Sequence, residues 1–490
     1  ALREGDRERP RQQASAGFLG AGAVVEGPLG GGKGSWIVSA RRSFLDFFTD
    51  DIGVGGVPKI YALNAKVVYD LSPRDRVWAV NVTGVDRLRL GATVDSASED
   101  SELANLDIQY RGWRTAAGVN WQRVFGQRGV GLLGITHSSA SVDAAYKDLL
   151  RADPRPSSDG SLDDLIASSP VVFSEDSAER ETTIKYDFTG FGTRFKKIQA
   201  GGAVKRIDTR YDTRQPFGYD NPYSATPGSN ALDIDLRAVA YDFGAYLQST
   251  WEPTSRLGAT LGVRADRYGS AGATRVSPRL GLSVRLTSRL SWQSSYGVYY
   301  QETSPLLRTA FPANRRLQPL RADHYVSGLV YAPEPSLRVS AEAYWKEYRD
   351  YPVSQEYPSV TLANIGDTFD VRESLFPLVS KGRGRSFGLE VSLEKRFAGR
   401  WFAQANAALS RARHAGSDGV LRPGAFDYPF IANLVGGYRL AERWEIAGRF
   451  AYLTGRPYTT YDEARSAAQG RGIYDLTRIN AVRASDYVRL

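Results

Sequence analysis

Residues 239–251 read VAYDFGAYLQSTW, with apolar and aromatic side chains at nearly every odd position. The even positions include Asp242 and Gln248. After a break at residues 252–255, the alternation resumes over residues 257–266. A period of two residues is typical of a β-strand with one apolar and one polar face. This stretch therefore predicts an antiparallel hairpin whose apolar face continues from one strand to the next.

The same alternation recurs along the chain, for example over residues 61–70, 337–346 and 387–394. Strands of roughly ten residues with one apolar face match the thickness of a bilayer. No run of ~18 apolar residues is present, which excludes a membrane-spanning helix. The mean hydropathy of −0.36 fits a transmembrane barrel, because only alternate residues of such a barrel meet lipid.

The connections between predicted strands alternate between short and long. The short turns lie near residues 30–34, 72–75, 126–129, 190–193, 252–255, 287–289, 333–336, 398–400 and 441–443. The longer polar segments include residues 143–178, 212–235, 302–319, 351–383 and 457–483. This alternation predicts a meander of antiparallel hairpins, with short turns on the inner side of an outer membrane and long loops outside.

The number of short turns sets the size of the predicted barrel. Nine turns join eighteen strands, Arg3 and its neighbours resemble the tail of an earlier strand, and Tyr487–Leu490 resemble the start of a later one. We therefore predict an all-β fold, a transmembrane antiparallel β-barrel of about 22 strands in the full protein, with roughly 20 represented in a single domain over residues 1–490. A barrel of that size has a lumen wide enough to need a plug.

Aromatic residues beside the short turns mark a depth in the membrane. Trp251, Trp401 and Trp444 lie next to short turns, and Tyr331 has a similar position. We predict that they form the aromatic girdle at the inner interface. The alternative interpretation is that they are core aromatics of a soluble sandwich or propeller.

Composition argues against several functional classes. The net charge is +9, but Arg and Lys are dispersed singly, so we predict no nucleic-acid binding. Cys is absent and the three His are far apart, so we predict no metal site and no cofactor. Gly30–Ser35 superficially resembles a phosphate-binding loop, but its spacing differs and no helix follows. We interpret it as a hairpin turn.

We interpret charged residues on the polar faces of the strands as part of the water-lined wall of the lumen. Glu390 and Glu394 alternate on one strand face, and Arg264 and Asp266 do so on another. We predict that these four residues face the lumen or a plug, rather than act as acid and base. No residue is predicted to be catalytic, and we expect the protein not to be an enzyme.

The long loops offer weaker candidates for binding. Arg315, Arg316, Tyr351 and Tyr357 suit anionic or aromatic ligands such as metal chelates, or they are simple surface residues. Two loops, at 95–107 and 143–180, are acidic: they carry Asp95, Glu99, Asp100, Glu102, Asp159, Asp163, Asp164, Glu175 and Asp176. We interpret these acids as solvated loop residues, in contact with divalent ions that bridge lipopolysaccharide, or alternatively as collectors of cationic ligands.

Several stretches, in this order, resemble the β-barrel of TonB-dependent receptors. They are VEGPLG (25–30), GSWIVSARRSFL (34–45), FGAYLQSTW (243–251), LGVRADRY (261–268), VSPRLGL (276–282), SYGVYYQ (295–301), NRRLQPLRADHY (314–325), GRSFGLE (384–390) and TGRPYT (454–459). Leu320 replaces the acid that is usual in one of these motifs. The resemblance covers nearly the whole chain, and the order of the motifs makes it specific.

The resemblance implies a function and its partners. It implies an outer-membrane receptor of a Gram-negative-type bacterium that takes up a scarce solute, for example a siderophore, cobalamin or an oligosaccharide, by energy-coupled movement of a plug. The expected partners are outer-membrane lipid and lipopolysaccharide, the TonB complex and a small solute. The family's plug and TonB-contacting segment would precede Ala1, and its last strands would follow Leu490, so we expect this to be part of a longer chain.

Two other functional classes remain open at the level of sequence. One is a passive outer-membrane pore or adhesive barrel, which recovery of a plug domain would argue against. The other is a soluble all-β carbohydrate-binding protein or enzyme, which would need no detergent for extraction.

Overall fold

The computed structural model describes residues 3–17, 20–43, 46, 57–91, 105–152, 161–192, 195–216, 232–365 and 376–490. The strands are β1 Arg11–Gly17, β2 Gly20–Leu29, β3 Gly34–Arg42, β4 Lys59–Ser72, β5 Asp75–Gly91, β6 Leu106–Val124, β7 Gly129–Asp148, β8 Val171–Gly190, β9 Lys197–Gln215, β10 Leu232–Trp251, β11 Leu257–Tyr268, β12 Ala273–Arg285, β13 Leu290–Gln301, β14 Leu320–Glu334, β15 Leu337–Ser354, β16 Leu378–Lys395, β17 Trp401–Ala415, β18 Leu421–Pro423, β19 Phe430–Ala441, β20 Trp444–Leu453, β21 Pro457–Tyr458, β22 Val482–Arg483 and β23 Tyr487–Arg489.

Within the described residues, twenty-one of these strands form one sheet, and β21 pairs with β22 separately. Neighbouring strands pair antiparallel, as β4 does with β5 and β14 with β15. The predicted all-β antiparallel architecture of about twenty strands is confirmed. The late strand at Tyr487–Leu490 is also confirmed, because β23 pairs with β20.

The prediction for Arg3 is wrong. Residues 3–10 form no strand, and the strand that precedes the first hairpin is β1, which pairs with β2. The sequence of β1, RQQASAG, contains no large apolar residue, and all seven residues are exposed. Alternation could not reveal this strand, because its side chains give no apolar face to detect.

The chain divides into two compact units. The first comprises residues 1–190, 201–219 and 228–244, and the second comprises residues 191–200, 220–227 and 245–490. β1 to β8 lie in the first unit, and β11 to β23 lie in the second. The candidate functional site lies in the second unit.

One face of the strands is apolar and remains uncovered. In the second unit Leu261, Val263, Leu389, Val391 and Leu409 are each more than 40% exposed. In a water-soluble protein such continuous rows would be buried against a second layer. Among the described residues these rows belong to one sheet and stay open, which is the arrangement that hydrocarbon requires.

The predicted inner girdle lies beside the short turns. Tyr331 is opposite Val339 near the turn after β14, and Trp401 is opposite Tyr438 at the start of β17. Trp444 begins β20 and is 71% exposed, while Trp251 ends β10 and contacts Phe195 with a ring-centroid distance of 6.0 Å. These positions fit an interface where amphipathic rings meet headgroups, and the girdle role stays a prediction.

A second aromatic row lies toward the other end of the same strands. Tyr325 is opposite Trp345, and Trp345 is opposite Phe387. The rings of Trp345 and Phe387 stack with a centroid distance of 5.0 Å. We call Tyr325, Trp345 and Phe387 the outer aromatic row, since it lies toward the long loops and on the same face as Leu389. The two aromatic levels bound the apolar part of the strands.

The strands extend further into the predicted loops than alternation indicated. β7 continues to Asp148 and β15 to Ser354, and the loops contain short helices: α1 Leu162–Ser168, α2 Pro305–Thr309, α3 Leu362–Ile365 and α4 Glu463–Gln469. No helix in the described part of the chain is long and apolar enough to cross a membrane. Beyond the bilayer both strand faces meet water, so the pattern that marks a strand disappears.

Parts of several predicted features lie outside the described residues. These parts are residues 44–45 of one family-like motif, Thr193 of one short turn, residues 153–160, 217–231 and 366–375 of the long loops, and the acidic residues Asp95, Glu99, Asp100, Glu102 and Asp159. Two of the described acids, Asp164 and Asp176, have side-chain partners. Asp164 caps α1 together with Ser161, and Asp176 forms a salt bridge of 2.8 Å with Arg210.

The two faces of β16 make a direct test of the lipid-facing assignment. Val391→Arg places a charge on the apolar face near mid-depth and should destabilise the folded protein by about 2–4 kcal/mol. Glu390→Arg, one residue away on the polar face, should cost far less, because Glu390 is opposite Glu342. Chemical unfolding in lipid vesicles measures both. Equal costs for the two variants would contradict the assignment.

Candidate functional site

The polar face of β12 to β15 carries a row of basic side chains near the outer ends of the strands. Arg279 is opposite Gly297, Gly297 is opposite His324, and His324 is opposite Lys346. Residues opposite each other in antiparallel strands point to the same side of a sheet. Arg279, His324 and Lys346 therefore lie in one row across four strands.

Aromatic rings lie against these basic groups. The guanidinium carbon of Arg279 lies 5.0 Å from the ring centroid of Tyr299, whose ring is 4.6 Å from that of His324. The ammonium nitrogen of Lys346 lies 4.8 Å from the ring centroid of Tyr344. Cation–π contacts of this kind stabilise a positive charge without a carboxylate. We call Arg279, Tyr299, His324, Tyr344 and Lys346 the cation–aromatic wall.

The positive charge of the wall is not neutralised within the described part of the chain. Neither Arg279 nor Lys346 forms a salt bridge with a described carboxylate, and Nε of Arg279 is buried without a hydrogen-bond acceptor there. A buried donor without a partner is costly and can be satisfied by a ligand oxygen. Among the described residues, the cations of Arg279 and Lys346 thus lie beside aromatic faces without a carboxylate partner.

The predicted residues Arg264 and Asp266 lie on the same polar face, above the basic row. Nε of Arg264 donates to Asp266 at 2.7 Å in a two-point ion pair. The pair is internally neutral. These two side chains therefore orient each other and bound the wall, and their contact with a plug stays a prediction.

Glu390 and Glu394 lie on the polar face of β16, nearer the inner ends. Glu390 is directly opposite Glu342, and both are exposed. Glu394 is opposite Arg338 and accepts a hydrogen bond of 3.1 Å from Arg396. Two exposed acidic side chains directly opposite each other are unfavourable unless water surrounds them, which fits a wet face.

The four predicted loop residues do not form one site. Arg315 and Arg316 are exposed side by side in the turn Pro312–Arg316. Tyr357 instead packs into the loop interior, with its ring 6.2 Å from that of Phe376. The ring of Tyr351 lies 5.2 Å from that of His414. The arginines are thus free for contact with a solute, whereas the tyrosines support the loops.

The outer loops of the second unit have a hydrophobic core of their own. The buried members come from three loops and the ends of the strands: they are Leu317, Val360, Phe376, Leu378 and Ile479. Tyr357, Leu362, Ile365 and Leu476 pack against them. We call this assembly the outer cap. A core of this size gives the loops a fixed conformation.

Asn314 joins the loops of the outer cap through its side-chain amide. It is fully buried, its Nδ2 donates to the carbonyl of Leu307 at 2.6 Å, and its Oδ1 accepts from the amide of Leu378 at 2.6 Å. Arg308, also buried, donates to the carbonyls of Leu317 and Arg315 at 2.8 and 2.9 Å. These side chains replace the backbone partners that irregular loops lack.

A second set of polar links holds the last loop against the others. Nδ2 of Asn480 donates to the carbonyls of Asn364 and Pro423 at 2.9 and 3.0 Å. Arg483 forms an ion pair with Asp427, which is 1% exposed. Loops that are remote in sequence are therefore connected by buried side chains.

His414 is buried where the outer cap meets β16 and β17. A Cβ on Gly384 would lie 2.3 Å from the imidazole, and one on Gly424 would lie 3.1 Å from it, so glycine is required for the close approach. Burial lowers the pKa of His414 to about 4, and Asp427 opposes the shift. His414 lies three residues beyond the position opposite Phe387, outside the apolar belt. Its imidazole is therefore neutral at physiological pH.

Sequence reasoning missed the cation–aromatic wall. Its five residues are contributed by four strands, and nothing in the sequence reports which residues are opposite each other across long loops. In the sequence His324 is only one of three histidines that are far apart. In the described residues no three His, Asp or Glu side chains are grouped as a metal site would require.

Asn314→Ala should loosen the outer cap. It leaves the carbonyl of Leu307 and the amide of Leu378 without partners in a buried site, which costs about 2–3 kcal/mol. Hydrogen exchange measured by mass spectrometry should accelerate over residues 307–317 and 376–380. Arg316→Ala, two residues away and exposed, is the control, and unchanged exchange in N314A would show that the amide is dispensable.

His414 should make the stability of the cap depend on pH. In the folded protein the pKa of His414 is about 4, below the ordinary value of 6.5. When the pH falls from 6.5 toward 4, the unfolded chain therefore binds a proton at His414 and the folded protein does not. Stability is full above pH 6.5 and decreases by about 3 kcal/mol as the pH approaches 4.

NMR of the histidine side chains checks this directly, since the protein has only three histidines and H414Q assigns the signal. A midpoint near 6.5 for His414 would contradict burial as the dominant effect.

Comparison with known proteins shows which family has this fold. The family model described as "TonB dependent receptor-like, beta-barrel" matches residues 31–489. No curated protein matches the sequence. Three similar solved structures are an FpvAI–pyocin S2 complex, the ferripyoverdine receptor of Pseudomonas aeruginosa bound to ferripyoverdine, and the alcaligin receptor FauA from Bordetella pertussis.

Their sequence identity to the chain is 14% in each case, and the TM-scores are 0.70, 0.68 and 0.58. The similarity covers 98%, 96% and 92% of this chain. The chain spans 65%, 62% and 69% of the length of those proteins. With a family model that matches nearly its whole length, the chain belongs to the TonB-dependent receptor family, of which it represents the β-barrel domain.

Proposed function

We propose that the protein is an outer-membrane receptor that captures an anionic ferric chelate of the siderophore type and imports it with energy supplied through TonB. The observation that carries the proposal is the cation–aromatic wall near the outer ends of β12 to β15. The outer membrane of a Gram-negative-type bacterium is the location that this function requires.

The chemistry of the wall supports an anionic, aromatic ligand. Ferric chelates expose oxygen atoms with negative charge, which suit the N–H groups of Arg279 and Lys346. Tyr299 and Tyr344 offer flat apolar surface beside these groups. A site with apolar walls and a few convergent polar groups is what a small-molecule site needs.

Two of the similar structures are siderophore receptors. One is a receptor for ferripyoverdine and another is a receptor for alcaligin. At 14% identity they support the fold, and the ligand class for this chain rests on the wall. A plug and its contact with TonB are the parts of such a receptor through which uptake becomes energy-dependent.

The outer cap gives the proposed site a stable rim. Asn314 fixes the loop that presents Arg315 and Arg316, whose exposed guanidinium groups can meet an anionic solute first. Long-range attraction raises the encounter rate of a charged ligand. Capture would proceed from these loop arginines to the wall.

Uptake by a strain that lacks its own ferric siderophore receptors tests the proposal. The full-length gene should restore growth on at least one member of a panel of ferric siderophores under iron limitation. Restoration should disappear when TonB is deleted. Growth that persists without TonB would identify a passive pore, and failure with every chelate would overturn the ligand class.

Substitutions on β12 and β15 test the wall itself. Arg279→Gln and Lys346→Gln should each weaken binding of the active ferric chelate roughly tenfold, because each removes one charge-assisted contact of about 1.5 kcal/mol. Arg285→Gln is the matched control, since Arg285 lies on the same strand and face, six residues nearer the inner end. Binding to purified receptor by fluorescence quenching provides the measurement. Equal weakening by the control would exclude a specific role for the wall.

A further inference from the structure

Several short turns at the inner ends of the strands close with an exposed arginine. In the second unit these residues are Arg256 before β11, Arg289 before β13 and Arg400 before β17. The backbone carbonyl of each accepts a hydrogen bond from the neighbouring hairpin, at 2.7, 2.8 and 2.7 Å respectively. The backbone of each arginine is therefore fixed to the sheet. We call Arg256, Arg289 and Arg400 the inner arginine set.

Two of these turns share both a sequence, Thr-Ser-Arg, and a pattern of hydrogen bonds. The hydroxyl oxygen of Thr254 accepts from the amides of Arg256 and Leu257 at 3.2 and 3.1 Å. Thr287 accepts the corresponding pair of bonds at 3.2 and 3.0 Å, and Ser72 in the first unit does so at 3.1 and 3.0 Å. Such local bonds stabilise one turn conformation. The chain thus repeats a turn that presents an arginine at the inner end of a hairpin.

The positive charge of the set is not neutralised within the described part of the chain. None of its three guanidinium groups forms a salt bridge with a described carboxylate. Nearby glutamates pair with other cations instead, at N–O distances of 3.1, 3.0 and 3.7 Å: the pairs are Glu252–Lys196, Glu334–Lys395 and Glu445–Arg439. The inner arginine set can therefore engage an anion from outside these residues.

The set stands away from the lipid-facing side of the strands. The residue after each arginine begins a strand and belongs to its apolar face: these residues are Leu257, Leu290 and Trp401. Adjacent residues of an extended chain point to opposite sides. Arg256 accordingly borders the same cavity as Thr260, on the polar face. Lipid headgroups thus meet the aromatic girdle, whereas the arginines are directed toward water at the inner ends.

The spacing of the set suits an extended partner. Neighbouring strands are 4.7–4.9 Å apart, so two strand spacings, about 10 Å, separate Arg256 from Arg289, and four, about 19 Å, separate Arg289 from Arg400. A compact protein partner would need a continuous patch of about 800 Å² with an apolar centre. These charges stand singly on narrow polar turns. A polymer with carboxylates at intervals can meet them one at a time.

We infer that the inner arginine set binds peptidoglycan through the carboxylates of its peptide stems. Peptidoglycan is an extended anionic polymer, and it lies on the side of the outer membrane that the short turns face. A guanidinium group presents paired N–H donors that match the two oxygens of a carboxylate. Several weak contacts to one polymer reinforce each other, because the first raises the effective concentration for the next. This inference does not depend on the proposed uptake function.

The test uses the full-length receptor purified in detergent and isolated peptidoglycan sacculi as the probe. The receptor should co-sediment with sacculi at low ionic strength, and conversion of the sacculus carboxylates to amides should lower the bound fraction roughly fivefold. R256Q/R289Q/R400Q should lower it to the same extent. R349Q/R385Q/R413Q, which removes the same charge near the outer ends of β15, β16 and β17, should leave it unchanged.

Each other outcome contradicts the inference. Equal sedimentation of the unaltered receptor with amidated and untreated sacculi overturns it without any variant, even if the triple variant fails to fold. Equal loss in both triple variants shows a nonspecific charge effect. Release from sacculi by vesicles of anionic phospholipid would identify a headgroup site instead. Capture of polyglutamate by a receptor that ignores sacculi would assign the set to an acidic polypeptide.

Discussion

Every backbone amide and carbonyl within hydrocarbon must find a partner in the chain, because lipid offers none. A sheet of antiparallel strands meets this requirement through its ladders, and twenty-one strands in the described residues do so. Once the ladders are fixed, each strand has one side for lipid and one for water. The open rows of Leu261, Leu389 and Leu409 follow from that constraint, as does the concentration of charge on the opposite face.

The same constraint explains where the strands change character. At the outer aromatic row the hydrocarbon ends, and within two residues the lipid-facing side of β16 passes from Phe387 to Arg385. On β15 the adjacent residues Trp345 and Lys346 point to opposite sides, one toward lipid and one toward the wall. A single strand thus contributes to two unrelated surfaces. Beyond this depth stability depends on buried side chains such as Asn314 and Asp427, because the ladders in the described loops are short.

The loops of the second unit have a fixed conformation because of their side-chain contacts rather than because of secondary structure. The helices of the loops are short, but Leu317, Phe376 and Ile479 exclude water between them. Their packing fixes the positions of exposed neighbours, including Arg315 and Arg316. The imidazole of His414 is neutral because the same packing removes it from water. The rigid outer cap and the cation–aromatic wall, which lies nearer the membrane, are therefore parts of one structural arrangement.

The strands and short turns are readable from the sequence, because alternation and turn chemistry are local properties. The same reading predicts an orientation and a depth for Trp401 and Trp444. It did not reveal β1, whose residues form no apolar face. It also could not distinguish buried Asn314 from exposed Arg315, since both are polar loop residues. The row of Arg279, His324 and Lys346 emerges only in the structure, because the register of β13 against β14 across the long loop 302–319 depends on which backbone groups pair. That pairing leaves no mark within a single strand.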